Sequence, residues 1–382
     1  MWGDPKVSIK RLLTNGTLNW NAAGTPATSQ IARAGIIQRI DLLTDASVTA
    51  TLGSAGSIAR DIWGPWNTYS QISVIPNDGA PLRRHSGYGG WLDMLLRSTE
   101  PDFPFSADVV AVAEIGAAAI SDIYAFPTTG SSVDYRFYLS LPVTQRINDL
   151  EDTFGYFPTD NPQVQLNVNL TPAGSTSASP YTISSGSTAA TSATLFPYLT
   201  DSGSSVTAAT PTVDVRRVVW QTPQSEKDDP NYNYIIQVQE DQPQGTNANS
   251  ATTQQYKFVA NSGVLLRMAC AIVDGGAQAA ASKLTATNAL EMLYGINEAK
   301  FQETAFAAHV RMHELYKFNW PEGVYSWDFL GPRLGLADTI DLSYLQEVRL
   351  NLNFASALGS SGSKVIILHE RLVPVGNVRP GR

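Results

Sequence analysis

Charge is what this chain lacks most. Only 16% of its 382 residues are Asp, Glu, Lys or Arg, against roughly 25% in a typical soluble domain. A surface so poor in ions relies less on solvation, which points to an exterior that meets other protein, although its Ser, Thr, Asn and Gln could equally keep a free monomer in solution. The charge present is net acidic, −8. That excludes a general nucleic-acid-coating role, because phosphate binding needs a basic surface. Cysteine is nearly absent: Cys270 stands alone, so no disulfide framework can form within the chain and folding in a reducing cytoplasm is expected. Long apolar runs are missing too. The first residues carry Asp4, Lys6, Lys10 and Arg11, a pattern unlike a signal peptide or a membrane span.

Catalytic patterns are equally scarce. His309 and His313 are four apart on a predicted helix, but no His-Glu-x-x-His motif or third ligand accompanies them, and they read as a surface or interface pair. Arg83-Arg84-His85 could bind an anion and reads instead as a solvated edge beside a glycine-rich turn. Gly53-Ser-Ala-Gly56 lacks the Lys-Ser/Thr of a phosphate loop, and no Gly-x-Ser-x-Gly elbow is present. No spacing nominates a triad. The chain is therefore read as non-enzymatic, with no catalytic, metal or cofactor residue assigned.

What the chain does contain is repetition. Val348-Arg-Leu-Asn-Leu-Asn-Phe354 places Val348, Leu350, Leu352 and Phe354 on one face of a strand and Arg349, Asn351 and Asn353 on the other. Val164-Gln-Leu-Asn-Val-Asn-Leu170 repeats the pattern, asparagines included, although Asn is a poor strand former. A second echo pairs Ala32-Arg-Ala-Gly-Ile-Ile-Gln-Arg-Ile40 with Ala260-Asn-Ser-Gly-Val-Leu-Leu-Arg-Met268. The echoes come in the same order, and each copy ends on another strand, Val213–Trp220 and Lys364–Leu372. Two copies of one all-β unit in a single chain explain this.

The expected organisation follows. An N-terminal arm covers 1–30, a first unit 31–223 and a second unit 224–376, with a tail at 377–382. In the first unit, Tyr69–Ile75 and Val133–Leu141 read as strands, Pro76–Gly79 as a turn, and 144–154 as a short helix. The glycines of Ser86–Gly90 read as a bend where backbones approach closely. Residues 171–211, rich in Thr, Ser, Ala, Gly and Pro, read as an exposed insertion: either a flexible loop or a projecting decoration. The second unit is expected to differ mainly by a helix at about 287–316, capped by Thr287. Cys270 is expected to be a buried hydrophobe.

Two tandem units of this size, with Trp63-Gly-Pro-Trp-Asn67, Arg84-His-Ser-Gly-Tyr-Gly89 and the stretch 345–372, resemble the double jelly-roll major capsid proteins of tailless icosahedral viruses, the adenovirus and membrane-containing phage lineage. The resemblance implies an all-β fold of two tandem eight-stranded jelly-roll sandwiches with a few inserted helices. It further implies homotrimeric, pseudo-hexagonal capsomers tiling a virion shell, contacts with neighbouring capsomers, penton or minor capsid proteins and an internal membrane, and no cofactor or specific nucleic-acid sequence. Two rivals remain at this level: a sugar-processing or sugar-binding tandem sandwich, for which Trp63 and Trp66 are the grouped aromatics but no carboxylate pair is evident, and a receptor-binding spike or minor coat protein.

Overall fold

The computed structural model is a β protein whose two halves repeat one arrangement. The first half runs β1 (Ile9–Asn19), β2 (Ala27–Ile31), β3 (Ile36–Thr51), β4 (Gly56–Arg60), β5 (Tyr69–Pro76), β6 (Arg83–His85), α1 (Gly87–Arg97), β7 (Ser132–Pro142), β8 (Gln145–Ile147), β9 (Leu150–Phe154), β10 (Phe157–Pro158), β11 (Leu166–Pro172), β12 (Tyr181–Ser185), β13 (Thr188–Ala189), β14 (Tyr198–Asp201), β15 (Ser204–Ala208) and β16 (Thr212–Gln221). The second half runs β17 (Tyr234–Asp241), β18 (Thr253–Phe258), β19 (Val264–Asp274), β20 (Ala277–Gln278), β21 (Leu290–Tyr294), β22 (Glu298–Glu303), α2 (Ala305–Tyr316), β23 (Val324–Asp328), β24 (Ile340–Asp341), β25 (Val348–Asn353) and β26 (Lys364–Pro374). The structure describes these elements and residues 26, 32, 66, 77, 79–82, 86, 143, 165, 252, 263, 279–289, 304, 317, 320–323, 329–330, 339, 342, 354–358 and 363.

Hydrogen bonding gives the core of each half two layers of four strands. In the first half the orders are β1-β16-β3-β7 and β2-β11-β5-β6. In the second they are β17-β26-β19-β23 and β18-β25-β21-β22. Strand for strand, in chain order, these are the same eight-stranded jelly roll written twice. The two Asn-strands hold the same place, β11 between β2 and β5 and β25 between β18 and β21.

The copy extends to a defect. Between β3 and β16 the register skips Gln38, so that Ile37 pairs with Val219 and Arg39 with Val218. Between β19 and β26 it skips Leu266, so that Leu265 pairs with Arg371 and Arg267 with Glu370. An extra residue on one strand makes a β-bulge, which bends and twists the sheet locally. Gln38 and Leu266 occupy the same position after Gly35 and Gly263 in the repeated Gly-strand.

The asparagines bond along the sheet. Asn351 accepts from Gln255 Nε2 at 3.0 Å and faces Glu291 Oε2 at 3.5 Å, and Gln302 Nε2 donates to Glu291 Oε1 at 3.1 Å. One rung of side chains thus crosses β18, β25, β21 and β22. Asn353 accepts from Thr253 Oγ1 and donates to the Asn288 carbonyl. Their strand neighbours Val348, Leu350 and Leu352 are buried in the core on the opposite face.

Several sequence expectations need correction. The arm expected over 1–30 contains β1 and β2, the first two strands of the first jelly roll. Its Asn15-Gly16 pair, a turn signal by sequence, is a register shift within β1. The Asn15 side chain ties β1 to the end of β2, donating to Ser29 Oγ (2.8 Å) and the Gln30 carbonyl (2.9 Å) and accepting from Ala32 N (2.8 Å). The helix expected at 144–154 is the hairpin β8-β9. The helix expected over 287–316 is a hairpin, β21-β22, followed by the 12-residue α2. Leu290 and Met292 alternate inward and pair with Leu352 and Leu350, so sheet pairing outranks helix propensity there. The cap is Thr304, whose hydroxyl accepts from Ala307 N at 3.1 Å, in place of Thr287. The first half also has its helix: the Ser86–Gly90 glycines open α1, so a helix does not distinguish the two units. Within 171–211 the described residues form strands, β12 pairing with β4 and β15 with the end of β3. Thr and Val in these strands carry the β propensity that the overall composition hid.

Candidate functional site

The two jelly rolls are joined by strand pairing. The edge strand β6 of the first half lies parallel to β17 of the second, with Arg83 opposite Val238 and Arg84 opposite Gln239. Val238 N donates to the Leu82 carbonyl at 2.8 Å and Gln237 Nε2 to the Pro81 carbonyl at 2.9 Å. One sheet therefore runs through both halves, in the order β2-β11-β5-β6-β17-β26-β19.

The helix α1 seals this junction. It packs on β7, β5 and β6 of its own half and on β19 and β26 of the other, and Gly87 to Leu96 are all buried. A helix enclosed in this way is apolar on most of its surface, as Trp91, Leu92, Met94, Leu95 and Leu96 are, and its buried Asp93 needs charged partners. Trp91 stacks on Trp66 at 5.1 Å between centroids and touches Tyr88 at 4.8 Å. Glycine is present for space: a Cβ on Gly87 would lie 1.9 Å from the Trp66 carbonyl oxygen, and one on Gly89 2.3 Å from Glu240 Oε2. Ser86 caps the helix by accepting from Gly89 N at 3.0 Å. Glu240 of β17 accepts from both Ser86 N and Ser86 Oγ at 2.6 Å, so a carboxylate of the second half sits at the positive end of the first half's helix.

Four charges gather where the halves meet, Arg83, Asp93 and Glu370 buried and Arg97 half-buried. Arg83 Nη1 donates to Asp93 Oδ2 at 2.7 Å, Arg97 Nε reaches Asp93 Oδ1 at 3.1 Å, and Arg97 Nη2 lies 2.9 Å from Glu370 Oε2 on β26. Arg83 Nε also donates to the Pro142 carbonyl at 2.6 Å. Burial alone pushes the Asp93 carboxyl up; the guanidinium groups of Arg83 and Arg97 override it and hold Asp93 below the usual carboxylate range. Glu370 pairs in register with Arg267, which itself binds Asp328 Oδ2 at 3.0 Å. Next to this network, burial and the positive Arg83 lower the His85 imidazole to about 4, leaving it neutral at pH 7. A buried ion group of this kind contributes little net stability, because desolvation offsets the attraction, but it strongly disfavours any arrangement that leaves one charge unpaired. It fixes how one half sits on the other.

A second polar cluster lies in the second jelly roll. Asp241 Oδ2 receives the Tyr256 hydroxyl at 2.7 Å and lies 2.8 Å from His369 Nε2. His369 is buried on β26 and burial lowers its pKa. Arg371 Nη2 donates to Gln237 Oε1 (2.9 Å) and Gln239 Oε1 (2.6 Å).

The sequence candidates fall into place around this geometry. Arg83 and His85 are buried and Arg84 is exposed, so the expected solvated edge is the junction itself. No local pattern announces that burial; the signal available was Asp93 and Arg97, an acid–base pair four apart in an otherwise apolar stretch. His309 and His313 do not converge: His309 stacks on Tyr325 at 5.0 Å while His313 is exposed. Among the described residues no group of three or more His, Cys, Asp or Glu could hold a metal ion. Trp66 is buried against Trp91, which removes it from any exposed sugar platform; Trp63 and Gly53–Ala55 lie outside the described residues. Cys270 is fully buried and burial raises its thiol pKa.

No protein-family model and no curated protein sequence matches the chain. Solved structures do. The MCP of STIV, Sulfolobus turreted icosahedral virus, is 15% identical with a TM-score of 0.62, over 96% of this chain and 97% of that one. The PBCV-1 virus capsid model is 12% identical with a TM-score of 0.60, over 96% and 93%. The Faustovirus major capsid protein is 9% identical with a TM-score of 0.51, over 96% and 90%. Two tandem eight-stranded jelly rolls, merged through one sheet and matched along nearly their whole length, give this chain the double jelly-roll fold of these viral coat proteins.

Proposed function

We propose that the chain is the major capsid protein of a tailless icosahedral virus. The observation that carries this reading is the duplicated jelly roll locked side by side by a buried ion group, a rigid two-column building block that matches viral coat proteins end to end. In this reading the role is structural and non-enzymatic, and its place is the virion shell. Three copies about a threefold axis present six similar columns, a near-hexagon that tiles a shell. Its partners are then further copies of itself, with penton or minor capsid proteins at the vertices and an internal membrane beneath. The strands β12 to β15, attached beyond the jelly-roll core through β4 and the end of β3, form a decoration of one surface.

Electron microscopy of the purified chain, alone and at assembly concentrations, tests the proposal. Trimeric, pseudo-hexagonal particles that grow into sheets or shells are expected. A protein that stays monomeric and binds glycans would instead be the sandwich lectin that the same fold could serve.

A further inference from the structure

Each half carries one side of the internal junction a second time, with no partner on it among the described residues. The outer edge of β22, unpaired among the described residues, corresponds to the edge of β6 that pairs with β17, because Glu303 and Arg83 occupy the same register: Arg83 pairs with Val74 and through it Val168, Glu303 with Leu290 and through it Leu352. Both strands lead straight into a helix, and in both the strand residue binds that helix with opposite charge. Arg83 binds Asp93 on α1, and Glu303 receives Arg311 Nη2 at 2.8 Å and Nε at 3.2 Å from α2. The two helices differ in cover. α1 is buried between the halves, whereas α2 packs on β23 with Ala305, Ala308, Met312 and Tyr316 and leaves Phe306 77% and Val310 43% exposed. In the first half, β1 corresponds to β17 and is the edge of its sheet, with β16 and β3 beside it where β26 and β19 flank β17.

We propose that α2 and the edge of β22 dock onto β1, β16 and β3 of a second copy, repeating between chains the junction that α1 and β6 make within one. The occupant is a second copy because the fold already contains this interface once, and each chain carries both of its halves. The register transfers directly. Leu12 and Leu13 hold the positions of Val238 and Gln239, so Glu303 lies opposite Leu12, and Gln302 opposite Arg11, in a parallel pairing. Phe306 and Val310 enter the place of the buried face of α1. Arg39, whose side chain is 41% exposed beside Asp41, stands at the β3 position matching Arg267 and faces a helix carrying the exposed Glu314. Such a contact is heterologous, head to tail, and closes only as a ring. It buries two strand edges that are unpaired among the described residues, and a soluble protein must cover or blunt such edges.

This inference rests on the capsid reading and specifies the surface through which its trimer closes. The test uses the full chain. Phe306→Asp with Val310→Asp changes two exposed side chains and should leave the melt of the dissociated subunit at high dilution unchanged, while lowering the melt of the assembled protein and raising the subunit dissociation constant in analytical ultracentrifugation at least about 30-fold, as loss of a central anchor does. Arg11→Cys with Gln302→Cys should form intermolecular disulfides under mild oxidation, in a ladder that stops at three chains. A double-Asp variant that assembles like the parent, or paired cysteines that do not cross-link in an assembled particle, would place the subunit contact elsewhere and leave the capsid reading intact. A parent chain that remains monomeric at every concentration would overturn both.

Discussion

At the scale of residues, the decisive group is Asp93. It carries two guanidinium partners at 2.7 and 3.1 Å in a site with no solvent access. Asp93→Leu strands Arg83 in the interior, takes one of the two carboxylates of the half-buried Arg97, and should lower the unfolding free energy by about 3–5 kcal/mol. Combining it with Arg83→Met should restore part of that loss, because Arg97 keeps Glu370. Denaturant unfolding of the single and double variants measures both. His85 gives the molecule a pH dependence of definite sign. Its folded pKa of about 4 lies below the ordinary value of 6.5, so the unfolded chain binds a proton that the folded chain refuses. Stability is therefore full above pH 6.5 and falls as pH drops towards 4, by about 3 kcal/mol from this residue alone. Burial lowers His309 and His369 in the same direction. The melting temperature should decline between pH 6.5 and 4, and His85→Gln should make that decline shallower.

At the scale of elements, period-two patterns were legible and interruptions were not. The Asn-strand could be read twice because its inner face is a clean apolar row and its outer face is polar. The strands β5 and β7 were legible from the same alternation, and β16 and β26 from their runs of β-branched and apolar residues. β1 was missed because its bulge at Asn15-Gly16 breaks the alternation and imitates a turn. α1 was missed because three glycines in its first turn argue against a helix; enclosure by two jelly rolls, absent from any local pattern, outweighs their propensity cost of about 1 kcal/mol each. Glycine is essential at Gly263, where φ is +95° and a Cβ would lie 2.2 Å from the Leu372 carbonyl. Gly263→Ala should cost about 1–3 kcal/mol through backbone strain, visible as a lowered melting temperature. The bulge that follows at Leu266 should persist, since its twin at Gln38 forms in a different sequence.

At the scale of the whole molecule, the halves depend on each other. Residues 1–223 expressed alone would expose the face of α1 that β19 and β26 cover, and should aggregate; co-expression with 224–382 should recover soluble protein, as a pull-down of one tagged half would report. The repeat, and with it the double architecture, was legible in the sequence. The junction was not, because Arg83, Arg97 and Glu370 come together only through folding. That separation carries a consequence in time. The partner of Arg97 is encoded roughly 270 residues later, which a ribosome adds in on the order of 15–50 s. Until Glu370 and β26 emerge, the first jelly roll waits with its sealing helix uncovered, and a cell that makes this protein in quantity must shield that helix for the length of the wait.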